Sequence, residues 1–382
     1  MALRVCEIMS VLLSERAGLF AGAGLHDPAG LFDQAGLFVS KTLFSFLDYS
    51  PILAFDMAES MLAAGDGPAE DLDLVAALDN ISTAVGANGD ATQTTALNQG
   101  VAYVPDGLPS YLEFDGVHTK YDLDWTAASG DYFFATATAD GVLSGELSLV
   151  NGASYEIGAL GVPRTSNWQG GDNYHIYYYP ATISAADRAT IISELGEFTD
   201  TPMFEGKTNF DSFLRDAVRL KQVDGSNIDV SAATSLASFA FRCTNLTEID
   251  VSRWDTSNVL DFSYAYLNCH SLTSIDVSNW DTANSNNFYR TFKNCSSLTT
   301  VKVNGGTGNP FADSPCTTYT EAFKNTNLTQ QSIDDILVAI ESASTTNGTF
   351  DQSGGNAPSA TGEAAVTALR GRGWTVTVTG GF

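Results

Sequence analysis

Four histidines, five cysteines and 45 acidic residues are the groups in this chain that could do chemistry, and their spacing decides which chemistry is open to them. His26, His118, His175 and His270 stand in unrelated contexts. His118, beside Asp115, sets a base near a carboxylate in what reads as a turn on the rim of a sheet, whereas His26 and His270 fall at variable sites of repeats. Carboxylate pairs such as Asp122/Asp124 and Asp334/Asp335 have the residue types of acid/base catalysis, but a solvated acidic face is the better reading of them. Asp71-Leu72-Asp73 lacks the Gly and the later Glu of an EF-hand loop. The sequence contains no G-x-S-x-G, H-E-x-x-H, C-x-x-C, P-loop or G-x-G-x-x-G. The expectation is a chain that is not an enzyme and holds no metal and no cofactor.

Binding is the better prospect. Trp168 precedes the run Tyr174-His175-Ile176-Tyr177-Tyr178-Tyr179, which strand periodicity splits into two faces. Tyr174, Ile176 and Tyr178 share one; His175, Tyr177 and Tyr179 share the other. One face belongs to a core, and the other, with Trp168, would stack on sugar rings, because a flat ring with a polar tip suits an amphipathic ligand. Sheet packing or a subunit contact is the alternative use. Trp168, His175, Tyr177 and Tyr179 are therefore the candidate ligand-binding residues.

The cysteines belong to a repeat. Cys243, Cys269 and Cys295 lie 26 residues apart, each followed three residues later by Leu246, Leu272 and Leu298. Ile249/Val251, Ile275/Val277 and Val301/Val303 follow in phase, and Trp254-Asp255-Thr256 recurs as Trp280-Asp281-Thr282. A fixed period of this length predicts a solenoid in which each unit buries its apolar side against the next. The alternating pairs read as short strands, and Phe288 and Phe292 suggest a turn of helix or a tight loop behind them. Stacking would put the three cysteines in a buried column that packs without disulfides. Cys243, Leu246, Trp254, Cys269, Leu272, Trp280, Cys295 and Leu298 are the expected scaffold.

The phase of Cys, Leu, Trp, Asp and Thr resembles the leucine-rich repeats of BspA-type bacterial surface proteins. Upstream, the line from Asp90 to Val117, with its ATQ run and LEFDGV, resembles the entry strand of concanavalin (laminin-G)-like domains of phage and prophage tail proteins. Here His118-Thr119 stands where that family has an acidic pair. YHIYYYPATISAADR, a closing strand before a helix capped by Ser184 and Asp187, is similar to the end of such domains.

Length and charge bound the rest. A chain of 382 residues with 44% apolar content has room for two or three domains with cores of their own. Its net charge of −27 argues against nucleic acid and anionic membrane as partners. Acidity that maintains solubility in a saline setting and a cation-binding role both fit it. No apolar run reaches the roughly 20 residues that span a bilayer, and Glu7 interrupts CEIMSVLL, so neither a membrane span nor a secretory signal is expected.

The expected fold is mainly β and multidomain: a concanavalin-like β-sandwich followed by a short leucine-rich-repeat solenoid with helical caps. Residues 1–50, where Ala17-Gly18-Leu19-Phe20 recurs in steps of six, form an apolar arm for attachment or oligomerisation, or else a flexible tail. Residues 51–196 form the sandwich, and 197–227, with the helix-like FDSFLRDAVRL, a linker and N-terminal cap. Residues 228–330 carry the repeats and 331–382 a C-terminal cap, whose first helix is predicted to start with a capping box at Ser332 and Asp335. The resemblances imply a tail-fibre or tail-tip protein of a phage virion that adsorbs to a host-surface glycan or protein. It would meet other virion proteins through the arm and assemble as a homo-oligomer, a trimer by the habit of phage fibres. A bacterial cell-surface adhesin or carbohydrate-binding module is the alternative, and a glycan-active enzyme the third reading.

Overall fold

A computed structural model of the chain describes residues 53–56, 61–63, 75–78, 91–92, 101–103, 111–115, 121–125 and 127–381, apart from 139, 158–159, 161, 165–169, 196–203 and 309. The hexapeptide arm, His118 and Trp168 lie outside them. The described chain is mainly β, with several sheets and few helices, as the alternating pattern predicts.

In chain order the first strands are Leu53–Asp56 (β1), Met61–Ala63 (β2), Val75–Leu78 (β3), Ala91–Thr92 (β4), Val101–Tyr103 (β5), Tyr111–Asp115 (β6), Tyr121–Asp124 (β7), Gly130–Thr138 (β8), Gly141–Leu149 (β9), Ser154–Ile157 (β10) and Gly170–Pro180 (β11). One sheet runs β9-β8-β11-β6-β5, with β1 also on β11; the other runs β10-β7-β4-β3-β2. These pairings are antiparallel. Leu123, Trp125 and Tyr155 meet Tyr132, Phe134, Leu143, Ile176 and Tyr178 in one core, with Trp125 and Tyr132 in edge-to-face contact at 4.8 Å. Helix α1 (Ala185–Leu195) covers the opposite face of β8, β9 and β11. It starts as its sequence predicts: the Asp187 N–H donates to Ser184 Oγ at 3.1 Å, and that hydroxyl donates to the Asp187 carboxylate at 2.7 Å.

The coils begin one unit earlier than their cysteines do. Leu220–Val223 (β12), Glu248–Ile249 (β13), Ser274–Asp276 (β14) and Thr300–Lys302 (β15) recur at the repeat spacing. A second row of parallel bridges joins Asn209, Ser235, Asp261 and Asn287. Residues 207–227 are thus a coil in register and no linker, with Ala217 in the cysteine column, Leu220 below it and Ile228 in the tryptophan position. The helix expected over FDSFLRDAVRL is absent because its N–H groups alternate between two kinds of partner. Those of Ser212, Leu214 and Asp216 donate to Ala237, Phe239 and Phe241 of the next coil, while those of Phe213, Arg215 and Ala217 turn back three residues. The same turn ladder stands at Phe288 and Phe292, where the structure takes the tight loop of the two expected alternatives and not the turn of helix.

The two-sheet region and the coils share a sheet. β12 pairs antiparallel with β9 and parallel with β13. Gly145 sits at that junction, where a Cβ would lie 2.0 Å from the Gln222 carbonyl oxygen, so a side chain there would push the strands apart. Arg164 closes the front of the stack: 5% exposed, it donates to the Phe213 carbonyl at 2.5 Å. Burial pushes its guanidinium down to about 10, and the neighbouring Cys243 and Asp216 oppose that shift.

Beyond the coils, Thr318–Lys324 (β16), Thr349–Ser353 (β17) and Thr375–Thr377 (β18) form a parallel sheet, linked through helices α2 (Gln330–Ser342) and α3 (Ala360–Gly371). Ile333, Ile336, Leu337 and Ile340 face the core from α2, as predicted. The cap does not sit where predicted. Thr329 is the N-cap, and the Ser332 hydroxyl is buried, accepting from the Val301 N–H at 2.9 Å and donating to the Val301 carbonyl at 3.2 Å. Ser332 thereby takes the place of a further strand on β15. We expect Arg164→Leu to cost about 2 kcal/mol by leaving the Phe213 carbonyl buried without its donor. In urea melts, a single transition should move in both regions, and separate transitions with an unshifted coil transition would contradict the shared core.

Candidate functional site

Tyr177 and Tyr179 of the aromatic strand are not on a binding face. Tyr177 and Tyr179 are fully buried against Phe133, Ala135, Ile191 and Leu195 beneath α1, and Ile176 and Tyr178 are fully buried on the other side. Over residues 176–179 strand β11 therefore has core on both faces, which corrects the expectation that Tyr177 and Tyr179 stack on sugar. His175 has its backbone between Asp56 of β1 and Ala137 of β8. Trp168 lies outside the described residues.

The scaffold residues take the places expected of them. Cys243, Cys269 and Cys295 are free, buried thiols that donate to the carbonyls of Leu214, Ala240 and Tyr266 at 2.9, 3.1 and 3.1 Å. Burial pushes Cys243 and Cys295 up to about 12 and Cys269 well above the usual thiol range, which keeps them protonated as donors. Leu246, Leu272 and Leu298 are fully buried. The Trp254 indole N–H donates to the Gly225 carbonyl at 2.9 Å, and Trp280 stacks on Phe262 at 4.8 Å.

Partly exposed side chains stand along the turn ladder. Its residues 212, 238, 264, 290 and 321 form one column, all at positive φ. Across these coils the column reads Ser212, Ser238, Tyr264, Arg290 and Glu321. Arg215 lies 4.4 Å over the Phe241 ring, Tyr264 meets Tyr289 edge-on at 5.3 Å, and Arg290 lies 4.6 Å over Tyr289. Three cations then converge on one carboxylate: Arg290 Nε and Lys293 Nζ reach Glu321 Oε2 at 2.6 and 2.7 Å, and Lys324 Nζ reaches Oε1 at 2.6 Å. The hydrogen bonds from Lys293 and Lys324, then that from Arg290, hold Glu321 at about 2 against the opposing effect of burial.

A cleft of about 370 Å³ opens over this cluster between Tyr289, Arg290, Thr320, Lys324, Ser353 and Thr377. Asp351 also lines it, and its carboxylate accepts from the Glu321 N–H at 2.9 Å. Two larger hollows flank the loop after β15. One, of about 550 Å³, lies between that loop and α2; the other, of about 600 Å³, is lined by Trp254, Asp255, Asp281 and Asp313. Among the described residues, no group of three His, Cys, Asp or Glu has metal-binding geometry.

Sequence reasoning passed over Tyr264, Tyr289, Arg290, Lys293, Glu321 and Lys324. The signal was available in the repeat itself, as the positions where aromatic or charged residues break its pattern.

A family model described as a Mycoplasma protein of unknown function, DUF285, matches residues 201–336, from just before the first coil into α2. No curated protein and no solved structure gives a match.

Because Glu321 is held well below the usual carboxylate range, its pairing stabilises the fold above about pH 4.5 and the contribution is lost as the pH falls toward 2. We expect Glu321→Gln to melt several degrees below the wild type at pH 7, with the gap closing steadily from pH 5 to pH 2. A gap that does not depend on pH would show that the ion cluster is not its source.

Proposed function

We propose that the chain is a non-enzymatic structural protein of a tailed-phage virion, a tail-fibre or tail-tip component that recognises a host-surface glycan or protein. The observation that carries this reading is the division of labour within each coil. Cysteine, leucine, tryptophan and corner aspartates recur in the frame, while the ladder column changes from Ser212 and Ser238 to Tyr264, Arg290 and Glu321. A fixed frame with variable outward groups suits recognition of an extended surface better than turnover of a small substrate.

Within this reading the two-sheet region is a concanavalin-like sandwich, and the coils are a BspA-type leucine-rich-repeat solenoid closed by α2 and α3. Residues 1–50 attach the protein to other virion proteins and hold it as a homo-oligomer, a trimer by preference. Its apolar hexapeptides, rich in Leu and Phe, support that role because they would otherwise expose a large apolar surface. The second reading, a bacterial cell-surface adhesin, draws on the family match over residues 201–336, whose description names a bacterial protein.

Light scattering of the full chain beside residues 51–382 tests the assembly part. We expect a concentration-independent trimer for the full chain and a folded monomer for the shorter one, with only the trimer blocking phage adsorption to its host cells at low concentration. A full chain that is a monomer and blocks nothing would set the virion reading aside in favour of the adhesin.

A further inference from the structure

Positive charge is scarce in this chain, with 18 Lys and Arg against 45 Asp and Glu, yet three of those cations meet at one point. Arg290, Lys293 and Lys324 share the single carboxylate of Glu321, and Asp351 is the other acidic group lining the cleft. The cluster thus carries one positive charge in excess, in a molecule whose net charge is −27. The net negative charge of the whole chain disfavours a bare polyanion at long range, so charge alone does not draw a ligand here and contacts of another kind must contribute.

The cleft supplies those contacts. Tyr289 is partly exposed at its wall, held edge-on by Tyr264 at 5.3 Å and beneath Arg290 at 4.6 Å. A ring fixed on two sides gives a flat apolar surface at little entropic cost. Thr320, Ser353 and Thr377 add hydroxyl groups around it. Lys324 has 42% of its side chain exposed and Arg290 34%, so both present N–H groups to solvent beyond those bonded to Glu321.

We propose that this cleft binds a carboxylated sugar unit of an acidic glycan, its carboxylate on Arg290 and Lys324 and its ring against Tyr289. Glu321 positions the two cations, and the hydroxyl groups bond the sugar's own. The proposal rests on the recognition function argued above and names the ligand class for it. A sulfated polymer offers charge without the planar carboxylate that a guanidinium matches in a two-pronged bond, and an acidic peptide offers carboxylates without the sugar ring.

Calorimetry of the full chain with oligogalacturonate, polyglutamate, dextran sulfate and neutral dextran oligomers in 50 mM salt tests it. We expect oligogalacturonate to bind, weakening at least tenfold in Arg290→Gln/Lys324→Gln and several-fold in Tyr289→Ala, with both variants melting cooperatively. The other three should bind at least tenfold more weakly. Equal binding of polyglutamate or dextran sulfate, or oligogalacturonate binding untouched by the substitutions, overturns the proposal. Adsorption blocking is read on the same variants. Blocking that survives both substitutions leaves the recognition function standing while this site falls, whereas a wild type that neither blocks nor binds any glycan removes both.

Discussion

Each coil can satisfy its backbone only with the help of the coil that follows, and the rest of the structure answers to that requirement. Buried N–H and C=O groups left without partners would cost more than packing returns, so the next coil must arrive in register. The side chains obey the same rule. The Thr247, Thr273 and Thr299 hydroxyls donate to the carbonyls of Lys221, Thr247 and Thr273, and the Asn258 and Asn284 amides to those of Ser231 and Ser257. A stack built this way has two ends that need closing by something other than a coil. Arg164 does so at the front and the Ser332 hydroxyl at the back, each by bonding backbone groups of the outermost unit.

The corners of the coils account for part of the chain's acidity. Asp224, Asp250 and Asp276 accept from the N–H two residues on, at 3.0 to 3.1 Å, and Asp229, Asp255 and Asp281 do the same at 2.8 to 3.0 Å. A short carboxylate side chain that bonds its own backbone makes a turn without glycine. The recurring aspartates are therefore scaffold, and most of the −27 lies upstream of the coils, in residues 1–200. Against that background the Arg290, Lys293 and Lys324 cluster stands out by its sign.

The coils from 228 onward were legible because residue identity and spacing recur together. The coil before them was hidden because Ala217, Val223 and Ile228 fill the cysteine, isoleucine and tryptophan positions with other residues, and because the apolar spacing of FDSFLRDAVRL serves a turn ladder as well as a helix. In β11, period two sorted the tyrosines into faces correctly but carried no information on whether a helix would lie over the second face; α1 does. Ser332 matched a capping box, yet its hydroxyl went to β15 because a strand edge left open is costlier than a helix start that Thr329 also serves. The charged cleft left a weaker mark: its residues stand where the repeat pattern breaks, but nothing in the sequence joins Arg290 to Glu321, 31 residues on.

The ladder column carries an argument about use that the pattern alone lacks. Positions 212, 238, 264, 290 and 321 all adopt φ between 54° and 59°, a region that costs a non-glycine residue about 1 kcal/mol. Glycine would remove that cost, and in the parallel column, which reads Asp216, Arg242, Asn268, Asn294 and Asn325, the three asparagines lessen it, because asparagine tolerates the left-handed region. The first column takes neither route: it holds Ser, Ser, Tyr, Arg and Glu. Of these, Tyr264 and Arg290 keep side chains partly exposed that the coil's backbone bonding does not require. At these strained positions the large groups reach across the coils, Tyr264 to Tyr289 and Arg290 to Tyr289 and Glu321. The inter-coil bonds from the N–H groups of Ser238, Tyr264 and Arg290 hold the strain in place, so the bonding that defines the fold also fixes the direction of the side chains it displays.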